Sequence, residues 1–387
     1  MTRTYTPREM IEKLVAFDTT SRNSNLELIE FVETYLEPFG ARCQRTYNDD
    51  GTKANLLASV GPDVEGGIIL SGHTDVVPID GQPWVTDPWV VTEKDGKLYG
   101  RGTSDMKSFS AIGLALVPEF IKGGLKVPLH FALSYDEEVG CIGVHRLVED
   151  MPGRIKSPRC AIIGEPTHMQ VVSANKGIRT FRTTVEGKEG HSSLPAGGAN
   201  AILYAVELIN HLMDLKQVMV DKGDSSERFN PPHTTISVGV IEGGTATNII
   251  PRACSFGWEY RPLPQEDADL IKNEFQSHVD NIVLPRLKQE AGDEGSIITE
   301  DNVWVPGLVG ESGNEAEALA LRLTGANRTE SVSYAAEAGI FHNKGIPSVI
   351  CGPGQIEVAH QPNEFVSLEQ VDQSIQFFRK LMDEVCN

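Results

Sequence analysis

Apolar residues near the start of the chain recur at the three- and four-residue spacing of an amphipathic helix. Thr6, Pro7 and Glu9 have the residue types of an N-cap, a first-turn proline and the closing residue of a capping box, so a helix is predicted to begin here. A second amphipathic segment covers about residues 25–38. Short apolar runs then alternate with helical stretches, with strands predicted at 55–60, 67–70, 129–135 and 160–164 and a helix near 107–122. This alternation predicts a mainly parallel sheet with helices on both faces.

The pattern changes after Gly177. Strands are predicted at 178–187, 234–243 and 254–262, with helices over about 200–217 and 265–290. Paired strands with two helices are typical of a compact α+β insert. The alternating pattern then returns, with a helix from Asn314, a strand at 347–352 and a last helix from Ser367. The sequence therefore predicts one α/β domain formed by residues 1–177 and 303–387, with an α+β domain inserted at 178–302.

Length, charge and cysteine usage narrow the function classes. A chain of 387 residues exceeds the size of one ordinary core, which favours two domains. Its formal net charge of −20 argues against a nucleic-acid or anionic-membrane partner. Six cysteines without a CxxC pair favour free thiols in a reducing compartment, so a cytoplasmic location is expected. Neither a signal peptide nor a membrane-spanning helix is expected from the apolar pattern.

Ionisable residues follow several of the predicted strands. His73 and Asp75 lie in "SGHTDVVP", Glu137 and Glu138 end the strand that runs into "SYDEE", and Glu165 follows "CAIIG". In open α/β sheets, ligands bind in the crevice at the carboxyl ends of the strands, so these side chains are expected to converge.

Two further candidates lie in loops, Asp105 in "YGRGTSDMKS" and His360 in "CGPGQIEVAHQP". Several carboxylates in one dry crevice would raise one another's pKa strongly unless cations compensate. Oxygen and imidazole ligands without a thiolate suit zinc or a similar divalent ion, and one carboxylate can bridge two ions. Each residue alone also has a simpler interpretation as a structural histidine, a turn residue or a solvated charge. Their spacing defines no local motif, so the residues by themselves leave both interpretations open.

Six segments in this order resemble the acetylornithine deacetylase branch of the carboxypeptidase G2-like, co-catalytic zinc peptidase family: "SGHTDVVP", "LYGRGTSDMK", "SYDEEVGCIG", "IIGEPT", "GKEGHSSLP" and "AHQPNEF". The resemblance implies a zinc-dependent amidohydrolase with a catalytic α/β domain and an inserted lid that also forms a homodimer. It implies two Zn²⁺ per subunit, with Co²⁺ able to substitute. The implied ligands are His73 and Glu165 for one ion, Glu138 and His360 for the other, and Asp105 as the bridge.

The resemblance also implies the division of catalytic roles. Asp75 would accept a hydrogen bond from the far nitrogen of His73 and fix its tautomer. Glu137 would be the general base, taking a proton from the metal-bound water and returning it to the leaving amine after attack on the amide carbonyl.

Four residues carry implied roles beside the metal ligands. His191 would reach the partner subunit's active site and stabilise the oxyanion, although it has the alternative of a surface loop histidine. Asn248 and Arg261 would bind substrate, the latter through an α-carboxylate, unless they cap a turn or pair with an acid. Glu337 in "YAAEAGIFH" could favour a cationic amine on the substrate, or could be a helix residue at the edge of the core.

The expected reaction is hydrolysis of N2-acetyl-L-ornithine to L-ornithine and acetate, a step of arginine biosynthesis. Deacylases of the same family that act on succinyl-diaminopimelate, acetyl-citrulline or other N-acyl amino acids, and dipeptidases, remain alternatives because all of them share the metal motifs. A non-catalytic binding protein is disfavoured because every candidate ligand and the candidate base are present.

Overall fold

The structure is a computed structural model that describes residues 3–224, 228–311 and 313–387. The chain forms two compact units. The first comprises Met1–Ala174, Leu308–Glu330 and Ala336–Asn387, and the second comprises Asn175–Gly307 and Ser331–Ala335. Each unit has its own buried apolar cluster. None of the helices in the described part of the chain combines the length and apolar character needed to span a membrane.

An eight-stranded sheet organises the first unit. Its strands, in chain order, are β1 (Arg42–Tyr47), β2 (Ala54–Val60), β3 (Gly67–His73), β6 (Leu129–Ser134), β7 (Pro158–Ile163), β8 (Val172–Asn175), β15 (Glu330–Val332) and β16 (Ser348–Ile350). Their order across the sheet is β1-β2-β6-β3-β7-β16-β8-β15. The central strands β6, β3, β7 and β16 are parallel, whereas β1, β2 and β8 pair antiparallel with their neighbours. A small sheet of β4 (Thr92–Lys94), β5 (Lys97–Tyr99) and β17 (Phe365–Ser367) lies in the same unit.

Helices complete the first unit. They are α1 (Pro7–Val15), α2 (Leu26–Leu36), α3 (Lys107–Ala115), α4 (Val117–Gly123), α5 (Ile142–Asp150), α9 (Glu315–Thr324), α10 (Ala338–Asn343) and α11 (Leu368–Cys386). The predicted capping box of α1 is present, with Thr6 and Glu9 exchanging hydrogen bonds. Asn314 and Ser367 cap α9 and α11 as their positions in the sequence predict. The residues of β2 and β3 are buried throughout, because helices cover strands of this kind on both faces.

The second unit is built on a four-stranded antiparallel sheet. Its strands are β9 (Ile178–Glu186), β11 (Thr235–Gly243), β13 (Ala253–Arg261) and β14 (Ser296–Val305), in the order β11-β13-β9-β14. Two short strands, β10 (Gly190–His191) and β12 (Ile249–Ile250), pair separately. The helices are α6 (Ala201–Lys222), α7 (Leu270–His278) and α8 (Leu284–Ala291), with a π-helical turn at Val279–Val283 between the last two.

The α/β fold class predicted from the sequence is confirmed. One element differs in detail. The single helix predicted over 265–290 is two helices with the π-helical turn between them, and the first begins at Leu270. The segment before it, residues 262–269, forms turns and irregular structure instead of helix.

Candidate active site

Three neighbouring parallel strands, β6, β3 and β7, bring the candidate residues that follow them to one end of the large sheet. His73 is the last residue of β3 and pairs with Ser134, the last residue of β6. Glu165 follows β7 by two residues. The residue before it is Gly164, where an added Cβ would lie 2.1 Å from the ring of Phe109. Only glycine therefore lets this strand end pack against α3, and the close packing fixes where Glu165 leaves the strand.

Asp105 lies between the two candidate histidines. Its Oδ1 is 3.0 Å from Nε2 of His73, and its Oδ2 is 3.2 Å from Nε2 of His360. The same nitrogen of His360 is 2.9 Å from Oε2 of Glu138. One carboxylate with each oxygen facing a different imidazole is the arrangement expected of a bridging ligand.

Two groups of potential ligand atoms share His73. The atoms of His73, Asp105 and Glu138 all lie within 4.8 Å of one another, and so do those of His73, Glu137 and Glu165. Glu165 Oε1 is also 3.9 Å from Nε2 of His73. The structure therefore brings together all five sequence-predicted ligands and the predicted base.

Asp75 contacts this cluster differently from the expectation. Nδ1 of His73 donates to the backbone carbonyl of Asp75 at 2.8 Å, whereas the nearest carboxylate oxygen is 3.8 Å away. The backbone carbonyl of Asp75 therefore takes the place that was predicted for its carboxylate. Since a carbonyl can only accept, Nδ1 of His73 carries a proton, and the lone pair of neutral His73 is on Nε2.

The carboxylate of Asp75 holds the neighbouring loop instead. Its Oδ1 accepts the backbone N–H of Glu137 at 3.0 Å, and its Oδ2 accepts that of Glu138 at 3.2 Å. The hydroxyl of Ser21 also donates to Oδ2, at 2.7 Å. One buried carboxylate thus fixes the backbone from which both glutamates project.

The charges of the cluster fit divalent cations. Burial raises the pKa of Glu137 to about 8 and that of Glu138 to about 7, and neighbouring carboxylates add to both shifts. Burial likewise raises the pKa of Glu165 well above its usual range. Glu165 Oε1 is buried and has no hydrogen-bond partner in the described part of the chain. Positive charge at this point would relieve the repulsion and engage the orphaned oxygen.

The histidines respond to the same surplus of negative charge. Hydrogen bonds to Asp105 and Glu138 raise the pKa of His360 to about 10. Burial alone would lower the pKa of His73, but Asp105 and the other carboxylates raise it well above its usual range. Burial opposes ionisation of Asp105, yet its hydrogen bonds to both imidazoles lower its pKa below the ordinary value. The donor set of two imidazoles and three carboxylates, without a thiolate, suits zinc or its neighbours.

Glu337 lies beneath the cluster rather than at its surface. Only 1% of the residue is exposed. Its Oε2 accepts the hydroxyl of Ser71 at 2.9 Å, and its Oε1 accepts the hydroxyl of Ser134. Both serines belong to the strands that carry the site, so this geometry favours the core role over direct contact with a substrate amine.

The remaining candidates belong to the second unit. His191 and Asn248 are exposed and adjacent, since the backbone N–H of Ser192 donates to the carbonyl of Asn248 at 3.1 Å. Arg261 ends β13 and pairs with Glu259, with 3.1 Å between Nε and Oε1. The structure groups His191 with Asn248, and Arg261 lies on a different element of the unit.

The sequence did not predict a role for several residues that lie at the site. The thiol of Cys141 donates to Oε1 of Glu137 at 3.2 Å. Arg101 and Glu364 form a buried ion pair beside Asp105. Arg101 and Glu364 could have been noticed from their positions inside the motifs "YGRGTSDMKS" and "AHQPNEF". Their burial could not have been inferred, because a charged residue in a loop motif is more often solvated than buried.

Known proteins resemble this chain over nearly its whole length. The profile of peptidase family M20/M25/M40 matches residues 69–384. An acetylornithine deacetylase from Myxococcus xanthus is 39% identical over 371 residues, which cover 94% of this chain and 93% of that protein. An acetylornithine deacetylase from Pasteurella multocida (strain Pm70) is 34% identical over 385 residues, covering 98% and 97%.

Solved structures share the fold. A metallo-carboxypeptidase of the same family from Sulfolobus solfataricus aligns with a TM-score of 0.76 at 16% identity, over 98% of this chain and 99% of that chain. A dinuclear metal-binding peptidase of the family from Bacillus subtilis aligns with a TM-score of 0.64 at 15% identity, over 98% of both chains. Because the family profile and two relatives match most of its length, the chain belongs to peptidase family M20/M25/M40 and is a metal-dependent amidohydrolase.

Proposed function

We propose that the enzyme hydrolyses N2-acetyl-L-ornithine to L-ornithine and acetate. The observation that carries the hydrolytic chemistry is the position of Asp105, whose two carboxylate oxygens face two different histidines. The substrate is supported by the two relatives named acetylornithine deacetylase. For its cellular role, we propose that the enzyme acts in arginine biosynthesis in the cytoplasm.

Five side chains of the first unit would hold two zinc ions. His73 and Glu165 would bind one, Glu138 and His360 the other, and Asp105 would bridge them. The orphaned oxygen of Glu165 and the raised pKa values of the glutamates support this assignment. When bound, the two ions would polarise the scissile carbonyl and acidify a water molecule; Co²⁺ has similar ligand preferences and would be able to substitute.

Glu137 would move the proton. Its Oε1 accepts the thiol of Cys141, which leaves Oε2 for the attacking water. Glu137 would take a proton from this water as the carbon–oxygen bond forms, and would then give it to the departing amine nitrogen as the amide bond breaks. Asp75 supports this role because it fixes the backbone N–H of Glu137.

The second unit would recognise the substrate. Nδ1 of His191 accepts the backbone N–H of Ser193 at 3.2 Å, so the neutral imidazole carries its proton on Nε2. That N–H would donate to the oxygen that becomes negative during attack. Arg261 would bind the α-carboxylate through its guanidinium, and Asn248 would contribute a hydrogen bond.

A homodimer would form through the second unit. β11 is an edge strand of the four-stranded sheet and exposes Val240 and Ile241, while the neighbouring helix α6 exposes Leu203 and Val206. Apolar residues along an unpaired sheet edge are typical of a surface that is covered in the assembly.

The first test combines metal removal with a substrate panel. Dialysis against a strong chelator should abolish hydrolysis of N2-acetyl-L-ornithine, and added Zn²⁺ or Co²⁺ should restore it. N-acetyl-citrulline, N-succinyl-diaminopimelate and a dipeptide should be cleaved with at least about 10-fold lower kcat/KM, a difference of roughly 1.4 kcal/mol in transition-state stabilisation. Full activity in a preparation with no bound metal would refute the mechanism. A higher kcat/KM for one of the other compounds would reassign the substrate while leaving the mechanism in place.

A further inference from the structure

Arg101 and Glu364 form a buried ion pair between two loops of the first unit. Arg101 is 1% exposed and Glu364 is fully buried. Nη1 of Arg101 lies 2.6 Å from Oε2 of Glu364. Burying two opposite charges gains little stability over an apolar pair, because desolvation offsets the attraction. The backbone and side-chain groups that hydrogen-bond to the pair indicate a second role, in positioning neighbouring loops.

Glu364 holds the loop that carries Asp105. Its Oε1 accepts the backbone N–H of Ser104 at 2.8 Å and that of Asp105 at 3.0 Å. Both amides precede α3 and have no helical acceptor at this point. An ionised carboxylate accepts such amides more strongly than a neutral group does, so Glu364 fixes the backbone of Asp105 directly.

Arg101 extends the contact to the loop of His360. Its Nη2 donates to Oε1 of Gln82 at 2.6 Å, and the amide of Gln82 donates to the carbonyl of His360 at 2.9 Å. The guanidinium also lies 5.2 Å from the ring centre of Trp84. His360 has a left-handed backbone with φ of 63°, which costs free energy for a residue with a side chain. The bond from Gln82 is one contact that holds this conformation.

We propose that Arg101 and Glu364 are positioning residues that keep Asp105 and His360 at the separation needed for metal binding. The inference rests on the proposed ligand set, in which Asp105 is the bridge and His360 binds one ion. The connection runs from His360 through Gln82, Arg101 and Glu364 to the backbone of Asp105. Neither charged residue belongs to the proposed ligand set. They act only through the two loops that supply ligands.

Replacement of Glu364 by glutamine tests the connection. If the new amide keeps its oxygen toward Ser104 and Asp105, its NH₂ group opposes the NH₂ of Arg101, so one contact must be lost. The affinity for Zn²⁺, measured by competition with a chromogenic chelator, should fall about 10- to 100-fold, the range found when groups that orient metal ligands are removed. The absorption bands of the Co²⁺-loaded protein should also shift, because the geometry around the ion changes.

A second ion pair of the first unit, which lies away from the candidate ligands, provides the control. Arg45 and Glu33 form another ion pair of the first unit, with side chains 25% and 23% exposed and no contact to a candidate ligand. Glu33→Gln should leave the Zn²⁺ affinity and the Co²⁺ spectrum unchanged. Unchanged affinity and spectrum in a folded Glu364→Gln variant would overturn the proposal.

A second variant keeps the proposal testable if Glu364→Gln does not fold. Gln82 is half-buried, and Gln82→Met removes the link between Arg101 and the carbonyl of His360, together with the acceptor of the Trp84 indole N–H, while leaving the ion pair of Arg101 and Glu364 in place. We expect a weaker Zn²⁺ affinity by a few-fold and a shifted Co²⁺ spectrum, and identical values would refute the link. The measurement needs no substrate, so it is separable from the proposed function. If the wild-type protein bound no metal, the proposed function would fail first.

Discussion

Glu137 and Glu138 are adjacent in the chain, yet their side chains meet different partners. Oε1 of Glu137 accepts the thiol of Cys141, whereas Oε2 of Glu138 lies 2.9 Å from His360. Asp75 fixes the backbone of both. Both residues lie in the turn that follows β6 rather than in the strand itself. Because their side chains meet different partners there, one glutamate can bind metal while the other handles the proton.

Replacement of Glu137 by alanine should therefore separate catalysis from metal binding. We expect kcat to fall about 100-fold or more, in the range of lost general acid–base catalysis, with metal content unchanged. Glu138→Ala should instead lose metal. Elemental analysis alongside turnover measurements distinguishes the two. Loss of metal from Glu137→Ala would identify Glu137 as a ligand, a result that its position near His73 and Glu165 makes worth measuring.

Replacement of Glu337 by glutamine tests whether this residue has a core role or contacts the substrate. Glutamine has the same shape, but its NH₂ group would face one of the serine hydroxyls that now donate to Glu337. Leaving a buried donor without its acceptor costs about 1–3 kcal/mol, so Glu337→Gln should unfold at a lower temperature. Because the residue is buried, kcat/KM should change by the same factor for N-acetyl-ornithine and for an N-acetyl amino acid with a neutral side chain. A selective loss of about 10-fold or more for the cationic substrate would instead place Glu337 in contact with it.

At the scale of elements, the sequence predicted the parts whose signal is local. The buried runs of β2 and β3 read as strands, and the caps at Thr6, Asn314 and Ser367 lie where they were expected. β14 was missed because most of its residues are exposed or half-exposed, so its apolar alternation is weak. The contacts of Asp75 and Glu364 depend on loops that meet only in the fold, and no spacing along the chain encodes them.

His130 of β6, which pairs with Ser59 of β2, should make the stability of the first unit depend on pH. His130 is buried, and Nδ1 lies 2.8 Å from the hydroxyl of Ser59 on the paired strand. Burial, with a smaller contribution from Arg42, lowers the pKa of His130 to about 4. The unfolded chain takes up the proton near pH 6.5, whereas the folded chain resists it to about pH 4. This contribution to stability is complete above about pH 6.5 and is lost as the pH falls toward 4, by up to about 1.4 kcal/mol per pH unit.

Replacement of His130 by asparagine should remove this dependence. The asparagine oxygen can still accept the hydroxyl of Ser59, but the side chain does not titrate. The variant should unfold at a lower temperature at neutral pH, since a cavity replaces part of the ring. Between pH 7 and pH 5 its unfolding temperature should fall less than that of the wild type. Calorimetry on metal-free samples measures the unfolding temperature of each protein at each pH. If the two unfolding temperatures fall in parallel between pH 7 and pH 5, His130 contributes nothing to the acid sensitivity.

At the scale of the whole molecule, the two units carry different parts of the proposed site. The candidate metal ligands and Glu137 belong to the first unit, whereas His191, Asn248 and Arg261 belong to the second. If the second unit forms the homodimer, His191 of one subunit can serve the metals of the other. A two-fold contact would make the two active sites equivalent, each built from both chains.

Subunit exchange between two inactive variants tests this sharing. His191→Ala and Glu137→Ala are each expected to be nearly inactive, because one lacks the oxyanion donor and the other lacks the base. In a mixed dimer with shared sites, one site combines an intact Glu137 with the partner's intact His191, and the other site lacks both. Random exchange makes half of the dimers mixed, so activity should return to about a quarter of the wild-type value. If His191 served its own subunit, no dimer would contain an intact site, and the mixture would stay as inactive as its components. Exchange demonstrated by mass spectrometry without recovery of activity would therefore refute the shared site, as would a fully active monomer.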